Sequence, residues 1–494
     1  MDLNFTAADW AAVAPHLILA GTVLVVMLAD LLLSAMRSRA IVAILAGLSL
    51  VGVVAAGLVA LWGPVGGGAA FGGMVATDPA ALYVTETLLI GGALVLLVSA
   101  PYIERVGMAH PGEFFALALA ALLGMLVLGT AAHFMTLFLG LEMLSLALYV
   151  LAGFAGGRHH SREAAIKYFL LSSFATGFLL YGIALLYGVT GHTGLADVGA
   201  GLRTAAQQSG GGLMMLAGVG LVAGGLAFKV SAVPFHMWTP DVYQGAPAPV
   251  TLLMAVGTKA AAFAAILRVF YGALGAGAAG WQPILYALAV LTMVGGNLLA
   301  LPQRDFKRLL AYSSIAHAGY LLIGVVANTS AGAAGVLYYL LAYTVMNAGA
   351  FGVVAALEQA DGSGVALAGL RGLAARRPWL ALALFVSLVS LVGIPPLGGF
   401  FGKLGVFGAA VQAGHAELAL LGVVMSAVSG YYYLRPAVAL YLPALSSSTT
   451  SPPDRARWGS ILAPVVAAAG TILLGLAAGP LYAWAAQAAE VLRR

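Results

Sequence analysis

The sequence predicts an all-α polytopic membrane protein with about fourteen transmembrane helices, two of them broken. Three observations carry that prediction. Of 494 residues, 62% are hydrophobic and 8% are charged, against roughly 25% charged in a soluble domain. Apolar runs of about 20 residues, enough to cross a hydrocarbon core of about 30 Å, recur along the whole chain. The basic residues gather in alternate loops. Only helices or closed barrels satisfy their backbone in lipid, and runs of this length are helical.

Taken in order, the spans fall at 15–36, 40–62, 79–101, 113–130, 132–154, 163–189 and 212–238. They continue at 248–271, 281–301, 305–327, 331–357, 379–412, 416–442 and 459–487. No soluble domain remains between them. With these spans Arg37, Arg39, Arg105, Arg158, Arg162, Arg304, Lys307, Arg308, Arg371, Arg376, Arg377, Arg455 and Arg457 share one side. The other side holds Arg203 and the terminal Arg493 and Arg494. The positive-inside rule then places both termini outside the cytoplasm.

Spans seven and twelve are too long for one straight helix, and proline interrupts both. Pro234 breaks the first, near Lys229; Pro395 and Pro396 break the second, near Lys403. Paired interrupted segments in two halves of a chain point to an inverted-repeat transporter. The pairing predicts helices 1–3 over 1–112, a five-helix repeat over 113–273, a second over 274–442, and a loop with helix 14 over 443–494. An odd number of helices per unit forces the two repeats into opposite orientations.

Composition also excludes chemistry. The chain has no cysteine, so disulfides, thiolate metal sites and iron–sulfur clusters are ruled out. The opening MDLNFTAADW lacks the basic region of a cleaved signal peptide, so the first span is expected to stay. The net charge of +5 lies in short loops and does not indicate nucleic acid. GPVGGG at 63–68 stands outside any strand–helix context and is not a nucleotide site. Of 22 basic residues only five are lysine, leaving 17 arginines; a lysine kept against that bias invites a chemical reason.

Four charges fall deep in spans: Glu142 in FLGLEMLSLAL, Lys229 in AFKVSAVPFHMW, Lys259 in AVGTKAAAF, and Lys403 after the break GIPPLGGFFGK. Each costs roughly 2.5–3.5 kcal/mol at the bilayer centre on insertion scales. Snorkelling is the bland explanation, but mid-helix lies about 15 Å from either interface and a lysine stem spans less than half of that. For Glu142 the bland reading is a polar contact between helices. Arginine stays protonated, whereas a desolvated lysine can exchange its proton, and a nearby carboxylate holds it charged. Glu142 beside Lys229 is therefore expected to act as a two-state device, and the proline break as a hydrated gap beside Lys403. His317 either bridges Lys259 and Lys403 or is a hydrogen-bonded packing histidine. His236 is a weaker candidate of the same kind. Lys167, one turn after Glu163, reads as an interface anchor. Asp30 and Glu86 read as anchors or partner contacts, and His133, His159 and His160 form no convincing haem or metal pair.

The stretches AIKYFLLSSFATGFLLYGIALLYG (165–188), FKVSAVPFHMWTPDVYQGAPAPVT (228–251), FKRLLAYSSIAHAGYLLIG (306–324) and GIPPLGGFFGK (393–403) carry a family resemblance. The chain resembles the subunit N family of the proton-pumping NADH–quinone oxidoreductases, respiratory complex I, along nearly its whole length. The resemblance implies fourteen helices, two inverted five-helix repeats, and proton translocation by the glutamate and lysines matching Glu142, Lys229, Lys259 and Lys403. A mid-membrane histidine of the family matches His317. The sister subunit M typically has glutamate where Lys403 stands, and subunit L has a long C-terminal extension missing here. The resemblance further implies a subunit of the bacterial inner membrane with no cofactor of its own. NADH, FMN, iron–sulfur clusters and quinone would belong to partner subunits, and neighbouring antiporter-like subunits and lipid would be its contacts. Two other readings stay open: a subunit of a multisubunit Na⁺/H⁺ antiporter, and a non-conducting scaffold.

Overall fold

In the computed structural model, residues 5–33, 40–63, 66, 68–206, 212–359, 362, 364–444 and 458–493 are described. Arg37, Arg39, Arg455, Arg457 and Arg494 lie outside them. Helices α1 (Ala7–Leu33) and α2 (Ala40–Trp62) lead into a small hairpin, β1 (Ala69–Ala70) and β2 (Val75–Ala76), paired Ala69 to Ala76. Then come α3 (Pro79–Val106), α4 (Pro111–Gly129), α5 (Phe134–Ala152), α6 (His159–Thr190) and the short α7 (Leu195–Ala206). Span seven is α8 (Gly212–Lys229) and α9 (Trp238–Gly245), and span eight is α10 (Ala248–Ala273). The second half holds α11 (Ala278–Ala300), α12 (Phe306–Val326) and α13 (Ser330–Leu357). Span twelve is α14 (Pro378–Val392) and α15 (Gly398–Gln412), followed by α16 (Ala416–Ala439), α17 (Trp458–Leu476) and α18 (Ala478–Glu490). Among the described residues, thirteen helices are long and apolar enough to cross a membrane, and α14 is a shorter apolar helix.

Helix starts follow from capping. Asp78 accepts from the Ala81 amide at 2.7 Å and opens α3; Asp305 accepts from the Arg308 amide at 2.8 Å and opens α12. Close packing follows from small residues, since helices in lipid associate through van der Waals contact rather than burial from water. A Cβ at Gly124 or Gly140 would fall 2.4 Å from a backbone nitrogen across the α4–α5 contact. The α11–α12 contact has the same construction at Gly296 and Gly319, at 2.5 and 2.6 Å. Helices α10, α12 and α13 form the centre and are buried along nearly their whole length, while α1 lies at the edge.

One end of the bundle is tied together by buried charge. Glu358, just past α13, accepts from Arg158 at 3.2 Å, from Lys307 at 3.3 Å, and from the Ala248 amide at 3.0 Å. Arg105 at the end of α3 donates to the Glu358 and Ala355 carbonyls. Loops after α3, α5, α9 and α13 and before α12 thus meet on one face. Lys307, read from sequence as a loop base, is buried here because it also donates to the Ala246 carbonyl at 2.6 Å.

The structure alters three boundaries. Span seven ends its first helix at Lys229, well before residue 238, and resumes at Trp238. Span eight carries π-helical stretches at Met254–Thr258 and Arg268–Ala273. The last span divides at Ala477. Pro480 has no amide to donate back to α17, so it fits the first turn of a new helix and not the interior of a long one.

Candidate functional site

Of the four sequence-picked charges, the three lysines are buried, and Glu142 is half-buried on α5. Lys229, Lys259 and Lys403 are 2%, 1% and 5% exposed, which removes snorkelling as their explanation. Every one of the three donates to neutral oxygens.

Lys229 is the last residue of α8, where the helix has run out of amides to pair with its final carbonyls. Its ammonium donates to Ser145 Oγ of α5 at 2.7 Å and to Ser172 Oγ of α6 at 2.8 Å. The Tyr168 and Phe228 rings flank it at 5.5 and 5.8 Å, within cation–π range. Glu142 lies one turn from Ser145 on α5 and accepts from Thr176 Oγ1 at 2.9 Å, one turn from Ser172 on α6. The two charges occupy successive rungs between α5 and α6. They do not touch: among the described residues no ion pair joins them.

Several backbone groups freed by the break after Lys229 find side-chain partners, as buried amides and carbonyls require. Trp238 Nε1 donates to the Phe228 carbonyl at 3.0 Å, and the Val233 amide donates to Thr292 Oγ1 at 2.9 Å. Lys259 takes the Val230 carbonyl at 3.2 Å and reaches the Ser314 carbonyl of α12 at 2.6 Å. It stands directly after the π-helical turn of α10.

From Ser314 a polar chain runs along α12. Tyr343 of α13 donates to Ser314 Oγ at 2.9 Å. His317, 1% exposed, is held at both ring nitrogens: Nδ1 to Tyr339 at 2.7 Å and Nε2 to Tyr433 at 2.9 Å. Tyr433 also bonds Ser313. His317 therefore contacts neither lysine directly. Its ring meets Tyr320 edge-on at 5.6 Å, and Lys403 sits 4.9 Å from the same Tyr320 ring.

Lys403, on α15, folds back over the second break. It donates to the Leu391 and Val392 carbonyls at 3.1 and 2.7 Å and to Ser426 of α16 at 2.7 Å. Gly393 ends α14 at φ 91°, in the left-handed region, and a Cβ there would stand 3.0 Å from Lys403 Cδ. Only glycine fits both demands. Two of the carbonyls freed by the break, expected from sequence to border a hydrated gap, are taken by the lysine itself.

Sequence reading missed the serines and tyrosines. Ser145, Ser172, Tyr339 and Tyr433 give no charge signal, and their only trace is a polar atom inside an apolar run; Ser314 is visible only as a neighbour of His317. Lys167 is more than an anchor: it joins Glu163 and Asp241 of α9, both at 2.7 Å. His236 lies in the first break with Nδ1 unpartnered. His159, His160 and Glu163 converge on the surface of α6, with the carboxylate 3.8–3.9 Å from each ring.

A helical bundle with two lysine-bridged helix breaks is the build of a membrane transporter with discontinuous helices. The family described as "NADH:quinone oxidoreductase/Mrp antiporter, TM" matches residues 131–429. NADH-quinone oxidoreductase subunit N of Trichlorobacter lovleyi is 44% identical over 455 residues, 91% of each chain. A chain of respiratory complex I from Thermus thermophilus superposes with a TM-score of 0.77 at 37% identity, over 95% of this chain and 98% of that one. A chain of the Mrp complex from Dietzia reaches 0.80 at 23% identity over 99% and 98%, a likeness of fold alone. The chain belongs to the subunit N family of NADH–quinone oxidoreductase.

Proposed function

We propose that this subunit relays protons across the membrane through Glu142, Lys229, Lys259, His317 and Lys403. One observation carries the reading: three ammonium groups are buried at mid-membrane with only hydroxyl and carbonyl oxygens as partners. A structural charge would be paired with a countercharge, as Lys307 is with Glu358. Lysines held by neutral acceptors can lose a proton without stranding an opposite charge. Glu142 lies one rung from Lys229, and its approach or retreat would favour or release the proton there. Beyond Lys259 the hydroxyls of Tyr343, Tyr339 and Tyr433 with His317 supply groups that both donate and accept.

The energy would come from NADH oxidation and quinone reduction in other subunits, where FMN and iron–sulfur clusters reside. This chain is read as carrying no redox centre. The two five-helix repeats, 113–273 and 274–442, would each hold one broken helix, flanked by residues 1–112 and 443–494. The face holding Arg105, Arg158 and Lys307 would be cytoplasmic, with both termini on the periplasmic side of a bacterial inner membrane.

The test is proton pumping by the assembled complex in proteoliposomes. Lys229→Ala should leave assembly intact and weaken pumping. Lys229→Arg, which keeps the charge but not the exchangeable proton, should fail alongside it. If Lys229→Arg pumps like wild type, deprotonation at this position is not part of the mechanism.

A further inference from the structure

Away from the central line, α1, α2 and α3 with Thr130 line a half-open pocket of about 50 Å³ at the end of the bundle opposite the Glu358 cluster. Its polar wall includes His16, Thr77, Asp78, Thr85 and Thr130. His16 Nε2 bonds Thr130 Oγ1 at 3.2 Å, and its Nδ1 is buried with no partner. Behind the lining Asp78, Arg268 from α10 donates to both of its carboxylate oxygens at 2.8 Å. Burial pushes the Asp78 carboxyl up, but the Arg268 charge and hydrogen bonds outweigh it and hold the group ionised, below the usual carboxylate range. A polar space of this volume has room for a small water cluster.

One helical turn deeper lies Glu86. It follows Leu82, which lines the cavity, by four residues on α3, and it faces Gly57, one turn below the lining Ala60 on α2. A Cβ at Gly57 would stand 3.4 Å from Glu86 Oε2, so the carboxyl packs directly against this stretch of α2. Glu86 is half-buried; its Oε1 is buried without a hydrogen bond, and no ion pair reaches the residue among the described ones. The position is about 10 Å along α3 from its first residue. Exposed Val54, Leu58, Leu61 and Ile90 surround it on the outer face. An ionised carboxylate left unpaired there costs several kcal/mol, whereas the neutral acid is tolerated.

We infer that Glu86 is a proton-binding site served by water in the α1–α2–α3 cavity, a second route by which this subunit exchanges protons with the side of the membrane its N-terminal hairpin faces. Hydronium delivered through the cavity protonates the carboxylate, giving the carboxylic acid and water, and the reverse step returns the proton. This rests on the subunit moving protons but not on the central lysines.

The experiment is NADH-driven pumping by the reconstituted complex. Glu86→Gln keeps the volume and hydrogen-bonding capacity but cannot carry a proton, so it should assemble and pump roughly twofold less or worse, while Glu86→Asp stays near wild type. Ala12→Leu, which fills the cavity from α1, should lower pumping with Glu86 in place. Wild-type pumping by Glu86→Gln overturns the inference. Should that variant fail to assemble, wild-type pumping by Ala12→Leu overturns it instead. If Lys229→Ala loses pumping while Glu86→Gln does not, this site alone fails; if the reverse holds, the central relay fails and this site stands.

Discussion

The two broken helices solve one problem in different ways. Each interrupts a span near a lysine, contains a cis prolyl bond (Val233–Pro234 and Pro395–Pro396), and frees carbonyls in the bilayer interior. After α14 the break is closed from within: Lys403, on the second half of the span, reaches back to the Leu391 and Val392 carbonyls of the first half. After α8 the break is closed from outside. Lys229 turns away towards serines on α5 and α6, and the Val230 carbonyl is taken by Lys259 of the next span. The first break therefore couples four neighbouring helices, α5, α6, α10 and α11, through side chains, whereas the second is mainly an internal backbone lock. Movement of α5 or α6 acts directly on Lys229; movement of α16 reaches Lys403 only through Ser426.

Variants can break that contrast or sharpen it. The largest effect is expected at Lys229→Ala, which should lower pumping by about tenfold, ~1.4 kcal/mol on a barrier, in a complex that still assembles; proteoliposome assays measure this. Next is the Ser145→Ala, Ser172→Ala double variant. It removes both acceptors of Lys229, with hydrogen bonds to a charged group contributing about 1.5–3 kcal/mol each. Ser426→Ala should do much less, because the two carbonyls still hold Lys403. Equal loss of pumping in the two cases would end the distinction between a side-chain and a backbone lock. Third, Gly393→Ala forces a Cβ into the left-handed region and towards Lys403, and should destabilise the subunit by about 1–2 kcal/mol, read as a lower unfolding temperature. The smallest effect belongs to Ser231 in the first break, at φ 62°. Ser231→Gly relieves strain but loses the hydrogen bond from Thr239 at 2.6 Å, so its net change should stay within about 1 kcal/mol, by the same thermal measurement.

Much of this was open to reading in one dimension. Span number and the two breaks follow from hydropathy and proline, because lipid forbids an unsatisfied backbone and proline removes a donor. Glu142, Lys229, Lys259 and Lys403 stand out because charge at mid-bilayer is expensive wherever it occurs. Lys307 shows the limit of that reasoning. It sits among loop arginines in sequence, and Glu358, some fifty residues later, together with the Ala246 carbonyl draws it into the interior. The division of the last span at Ala477 was hidden in the same way, since a run of alanine and leucine reads as one helix until Pro480 is weighed.

What the chain alone determined, then, is where polar groups must be hidden: transfer free energy is a property of each residue and its depth, and it can be counted along a string. Who hides them is another matter. That Lys259 rather than Lys229 takes the Val230 carbonyl, that His317 sits between two tyrosines, and that Glu142 stands a rung away from Lys229 all depend on contacts between helices far apart in sequence. Hydrogen bonds are short-ranged and directional, so their partners are chosen only when packing brings them within about 3 Å.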